Sequence, residues 1–133
     1  MAKIATKQRG FTLVELMVVL VILAILSTVA YPLYTEQTRK TRRAEGRAVL
    51  LELAQAQERF FTVNGRYAAT LGSLSIDATT ENGYYTITTT GGGTFTATAT
   101  TAGAQTSDTY CTTMTYSNLG VKGGTGSDTD KCW

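Results

Sequence analysis

Residues 16–26 read Leu-Met-Val-Val-Leu-Val-Ile-Leu-Ala-Ile-Leu, eleven apolar side chains without a break. Only Ser27 and Thr28 interrupt the stretch before Tyr34. Residues 11–34 number 24, and as a helix they extend about 36 Å at ~1.5 Å per residue. That exceeds the ~30 Å hydrocarbon core of a bilayer. A chain of 133 residues has no interior able to surround such a segment on every side, so the reading is a membrane-spanning helix and not a core helix. Ahead of it, residues 1–10 carry Lys3, Lys7 and Arg9 and no acid. A secretory signal peptide shares that layout, but this apolar run exceeds the usual ~7–15 residues, and Thr28 with Ala30 is a poor small-x-small cleavage site.

Outward from the span the chain turns water-soluble. Residues 35–62 are charged and contain neither glycine nor proline apart from Gly46. Ala44, Ala48 and Leu51, with Leu50, Leu53, Ala54 and Phe61, recur at three- and four-residue steps, the pattern of an amphipathic helix. No cap or turn signal separates this helix from the span. Pro32 removes one helical hydrogen bond, and a proline so placed kinks a helix whose surroundings hold it. One helix from Phe11 to about Phe61 is therefore expected, stopped by Asn64-Gly65.

Eighteen of the residues from 79 to 133 are threonine. Tyr84 to Thr89 and Thr94 to Thr100 alternate with period two around Gly91-Gly92-Gly93, which predicts a hairpin. A third strand fits Tyr110 to Tyr116, and a fourth part of Leu119 to Lys122, ahead of a glycine-rich loop from Gly123 to Gly126. With aromatic residues Tyr84, Tyr85, Phe95 and Tyr116, these strands suit an antiparallel sheet with one buried face. The fold class is α+β: a long N-terminal helix, membrane-spanning in its first half, packed on a small antiparallel sheet.

The composition excludes much. The chain has no histidine, which removes Ser-His and Cys-His catalysis and every metal site that needs an imidazole. Two cysteines cannot close a four-thiolate zinc site. Twelve basic and ten acidic residues give a net charge of +2, too little to suggest nucleic acid by charge alone. No enzyme and no cofactor are expected. Glu15 is the most informative residue, since a carboxylate near one end of a membrane span costs free energy and is retained for a partner unless it is solvated at headgroup depth.

Gly10-Phe11-Thr12-Leu13-Val14-Glu15, behind a short basic leader and ahead of the apolar tract, resembles the class III signal of type IV pilins of the short-leader type IVa class. The resemblance extends through Pro32, the long helix and the C-terminal cysteine pair, and so spans the chain. It implies that a prepilin peptidase cleaves between Gly10 and Phe11 and N-methylates Phe11. It implies further that Glu15 pairs with the terminal amine of an adjacent subunit during extraction from the membrane, since paired charges cost less in low dielectric than separate ones. By this resemblance, residues 1–10 are the leader, 11–34 the transmembrane and assembly helix, 35–62 the amphipathic half of that helix, and 63–133 the head. Local unwinding around Leu26 to Pro32 in a filament is a further implication. The partners implied are other pilins in a homo- or hetero-oligomeric filament, the inner-membrane assembly platform, and the membrane itself before assembly. The precursor is then an inner-membrane protein with a periplasmic head, and the product an extracellular pilus on a Gram-negative-type surface, serving adhesion, twitching motility or DNA uptake. The tracts Gln57 to Thr62, Asn64 to Tyr67 and Glu81 to Tyr85 look most like minor pilins. Two rivals are a pseudopilin of a type II secretion system and a non-polymerising single-pass membrane binding module.

With the head outside the cytoplasm, Cys111 and Cys132 are expected as a disulfide that bounds a C-terminal loop, as in the family. Asp108, Asp128 and Asp130 suggest an exposed, mildly acidic rim to that loop. Asp128-Thr129-Asp130 is a weak calcium pattern against the six to eight oxygens this ion takes, and no metal is expected. Arg39, Lys40, Arg42, Arg43 and Arg47 could bind DNA. The favoured reading has them meet lipid headgroups before assembly, and Glu36, Glu45 or Glu52 of neighbouring subunits afterwards. Without the leader, 9 basic residues face 10 acids, and they are unevenly placed: residues 35–66 hold 7 basic and 4 acidic, 67–133 hold 2 and 5. A basic stem and an acidic head make DNA the weaker reading.

Overall fold

The long unpunctuated stretch after Thr12 forms one helix, α1 (Leu13–Asn64, 52 residues), in the computed structural model, which describes residues 10–133. The expected leader falls on residues 1–9, outside the described residues, except for Gly10. Helix α1 begins two residues later than expected and ends three later, and Pro32 lies inside it without interrupting the assignment. Its end follows from Asn64-Gly65. Gly65 adopts a left-handed backbone with φ 65° and its N–H closes on the Phe61 carbonyl at 2.8 Å, so a carbonyl orphaned by the helix end is satisfied. The Asn64 side-chain amide does the same for Phe60 O at 2.9 Å.

The chain divides after Glu36 into two compact units. In the first, α1 has a mean hydropathy of 2.8 over its most apolar 18 residues, none of them buried. Phe11, Leu13, Val14 and the large apolar residues from Leu16 to Leu26 all stand exposed. Length and composition suit this segment to a bilayer.

In the second unit, a four-stranded antiparallel meander packs on α1. Its strands are β1 (Tyr85–Thr90), β2 (Thr96–Thr101), β3 (Thr113–Ser117) and β4 (Lys122–Thr125), in that spatial order. The registers Ile87↔Ala99 and Ala99↔Met114 bring inward-facing residues side by side. Leu50, Leu53 and Ala54 of α1 close over Tyr85, Ile87, Phe95, Ala97, Ala99 and Met114, with both cysteines in the same core. The first two strands form the hairpin read from the sequence. The fourth lies further along than expected, so Gly123 and Gly124 are in a strand and not a loop. The reason is the turn: Ser117 to Val121 is consumed by the reversal, with Gly120 N–H on Ser117 O at 2.9 Å, and pairing resumes at Tyr116↔Lys122.

The buried stripe of α1 keeps Leu50, Leu53 and Ala54 of the expected one and departs from it at the other positions. Arg43, Gly46, Leu50, Leu53 and Gln57 face the sheet, whereas Ala44, Ala48 and Leu51 are exposed. Phase is set by two residues that hydrophobicity cannot flag. Gly46 lets the sheet approach, because any Cβ there would collide with the Met114 methyl and press on the Tyr85 ring. Gln57 clamps the loop after the helix, donating to Ala68 O and accepting from Ala68 N–H, both at 2.8 Å. Phe61 then stacks on Tyr67 and Tyr67 meets Phe95 edge-to-face, with ring centroids 4.6 and 4.9 Å apart, worth about 0.5–1.5 kcal/mol per pair beyond burial.

Candidate functional site

The first turn of α1 is built by four residues. Thr12 is the residue before the helix and Glu15 its third residue, the Thr-x-x-Glu spacing of a capping box. Glu15 N–H donates to Thr12 Oγ1 at 3.2 Å. In return Glu15 Oε2 accepts from Thr12 N–H at 3.0 Å and from Thr12 Oγ1 at 3.1 Å. The carboxylate also lies at the positive end of the helix dipole. Glu15 therefore has a role within its own chain, which a reading of the residue as a partner's ligand or a solvated charge passes over. The signal was present in the sequence as Thr12-Leu13-Val14-Glu15.

This geometry bears on the peptide bond after Gly10. Cleavage there would leave an ammonium on Phe11, one residue from the Thr12 amide that already reaches Glu15. Glu15 Oε1 accepts no hydrogen bond among the described residues, so the carboxylate keeps an oxygen for a cation. Phe11 is 84 % exposed, and beyond its chain neighbours no described residue crowds Gly10.

The basic cluster does not act as one surface. Arg43, 2 % exposed, forms a two-point ion pair with Asp108, 0 % exposed, through Nε–Oδ2 at 2.6 Å and Nη2–Oδ1 at 2.7 Å. Burial alone would raise the Asp108 carboxyl. The Arg43 guanidinium, and then the amides of Cys111 and Tyr110, outweigh it and hold the pKa below the ordinary value. Gln105 Nε2 adds a bond to Asp108 Oδ2 at 2.8 Å and one to Tyr85 Oη at 3.2 Å. Burial, first of all, pushes the Tyr85 hydroxyl up to about 12. Arg47 donates to the carbonyls of Cys132 at 2.7 Å and Lys131 at 2.9 Å, and Arg42 to Ala104 O at 3.1 Å while lying over the Tyr84 ring. Three of the five cations expected at headgroups or neighbouring subunits thus hold the head together. Glu45, expected to meet a neighbour, accepts instead from Asn82 Nδ2 at 2.8 Å. Asp108 is no part of an exposed rim, because the fold buries it to receive Arg43.

Cys111 and Cys132 are bonded to each other, and no other cysteine is present. The bond ties the approach to β3 to a short 3-10 helix at Thr129–Cys132. Asp128, half of the weak calcium pattern, lies 3.1 Å from Lys131 Nζ.

With this arrangement established, comparison with known proteins matches two successive stretches of the chain. Residues 5–31 match a family model described as the prokaryotic N-terminal methylation motif. Residues 32–115 match one described as type IV minor pilin ComP, DNA uptake sequence receptor. Among solved structures, a type IV pilin from Shewanella oneidensis is similar at 25% identity and a TM-score of 0.50, over 63% of this chain and 89% of that one. No curated protein matches the chain.

Proposed function

The chain belongs to the type IV minor pilin family, a structural subunit of the pilus, and from that premise we propose that the first turn of α1 is where it is processed and joined to its neighbours. Prepilin peptidase cuts between Gly10 and Phe11 and methylates Phe11. The resulting amine keeps its charge. Glu15 neutralises it, on the same chain while the helix lies in lipid and on an adjacent subunit as the helix enters the filament, where a paired charge costs far less than two isolated ones. The observation that carries this reading is the capping box, which holds the carboxylate at the helix start with one oxygen still available. The head then faces the periplasm before assembly and the exterior of a Gram-negative-type cell afterwards.

Replacing Glu15 by glutamine separates charge from capping, because glutamine also completes the box. The expected outcome is a processed, membrane-inserted protein that is lost from sheared filaments. Filaments carrying Glu15→Gln at wild-type levels would show that the charge has no part in assembly.

A second reading, uptake of DNA, is favoured by the description of the matching family. The exposed cations Lys40, Arg59, Arg66 and Lys122 would then contact phosphates. Affinity for duplex DNA should fall with salt by a log–log slope of about −0.9 per phosphate neutralised. Salt-independent retention, or none, would remove this reading.

A further inference from the structure

Asn64-Gly65 and Asn82-Gly83 are the two Asn-Gly pairs of the chain, and such a pair is chemically labile as well as turn-forming. Glycine leaves the nitrogen that follows the asparagine without a side chain to shield it. That nitrogen, on losing its proton to solvent base, attacks the asparagine Cγ. The N–Cγ bond forms, the Cγ–Nδ2 bond breaks, and ammonia leaves. Water then opens the resulting succinimide at one carbonyl or the other, giving aspartate or isoaspartate. The reaction needs water, a glycine N–H free to lose its proton, and a side chain free to turn over it.

The structure restrains the two pairs by different means. At the helix end, Gly65 N–H is tied to Phe61 O at 2.8 Å and Asn64 Nδ2 to Phe60 O at 2.9 Å, so the backbone of α1 holds both reacting groups. Asn82 lies in an exposed turn. Its Gly83 has a left-handed backbone with φ 70°, and a Cβ placed there would meet nothing within 4 Å. Gly83 N–H donates to Thr80 O at 2.8 Å, but the Asn82 side chain is held from outside the turn. Glu45 of α1 accepts from Asn82 Nδ2 at 2.8 Å through Oε2 and from Asn82 N–H at 3.3 Å through Oε1. One carboxylate thus fixes the amide that would be lost together with the backbone of the same residue, through bonds strengthened by its charge. We propose that Asn82 is a site of spontaneous modification in the head and that Glu45 keeps it unreacted. The product makes the change irreversible: aspartate or isoaspartate at position 82 sets a second carboxylate against Glu45, where like charges repel, and α1 loses its hold on this turn.

The test is incubation of the full chain, held in lipid nanodiscs, in mildly alkaline buffer, with samples reduced, digested with trypsin and read by mass spectrometry. Trypsin places the two pairs in separate peptides, 60–66 and 67–122, so Asn64 is a control within each molecule. Glu45→Ala is expected to raise the rate of deamidation at Asn82 several-fold and to leave the rate at Asn64 as in the wild type. Equal rates at Asn82 in the two proteins would overturn the proposal. So would a slower rate in Glu45→Ala, since the carboxylate would then be a base that promotes ring closure. If both sites speed up, the replacement has loosened the head as a whole, and Glu45→Gln, which keeps one acceptor oxygen, decides in its place. Faster reaction at Asn82 with Asn64 unchanged is the result expected of that variant, and parity with the wild type at Asn82 is the contrary one.

Discussion

Replacing Arg43 with alanine is expected to destabilise the head by about 3–5 kcal/mol, the usual result of removing one partner of a buried ion pair. Both groups are out of water, and without the guanidinium the Asp108 carboxylate keeps only Gln105 and the amides of Tyr110 and Cys111. That residual shell does not balance a desolvated charge. The pH dependence identifies the cause. In the wild type the folded-state pKa of Asp108 is depressed, so the pair's contribution is present above the unfolded carboxylate value, about 3.9, and is lost as pH falls through the lower folded value. In Arg43→Ala, burial dominates and raises that pKa, so the gap between variant and wild type narrows as pH is lowered. The double replacement Arg43→Met with Asp108→Leu should recover most of the loss, because apolar residues of similar volume often replace a buried pair at little cost. Urea unfolding of the detergent-solubilised chain, followed by Trp133 fluorescence from pH 4 to 8, measures all three. A loss below about 1 kcal/mol in Arg43→Ala, within the range of surface ion pairs, would refute the role assigned here.

Removing the disulfide by Cys111→Ser with Cys132→Ser is expected to cost about 2–5 kcal/mol, and about 3 by the chain-entropy estimate for a loop of this length. The lower half of that range is the more specific expectation. Arg47 grips the carbonyls of Lys131 and Cys132 independently of the sulfur atoms and limits how far the C-terminal turn can open. Combined with Arg43→Ala the effects should not add. The Cys111 amide donates to Asp108 at 3.4 Å, and groups within one network couple. The shift in urea midpoint between oxidised wild type and the double serine variant measures the first value, and the four-way cycle the coupling.

Much of this molecule can be read in its sequence because the signals are local. The apolar run from Leu16 to Leu26, the Asn64-Gly65 stop and the hairpin around the Gly91 to Gly93 turn each depend on residues within a few positions of one another. The phase of α1 is not wholly local: Arg43 faces the core because Asp108, 65 positions away, waits there, and a hydrophobic stripe that skips arginine and glycine finds Leu50, Leu53 and Ala54 but adds the exposed Ala44, Ala48 and Leu51. The start of β4 depends on how many residues one reversal consumes, and a glycine run reads more readily as loop than as strand. At the candidate site the order Gly10 to Glu15 ahead of an apolar run is visible in the sequence, whereas the capping role of Glu15 needs the three-residue spacing to Thr12 to be weighed as helix chemistry.

Mass spectrometry of the amino terminus of this chain, taken from sheared surface filaments, tests the account most directly. It predicts a chain that begins at Phe11 and carries one added methyl on its amine, with Glu15 unmodified. A chain in those filaments that retains Met1, or that begins at a residue beyond Glu15, would contradict it.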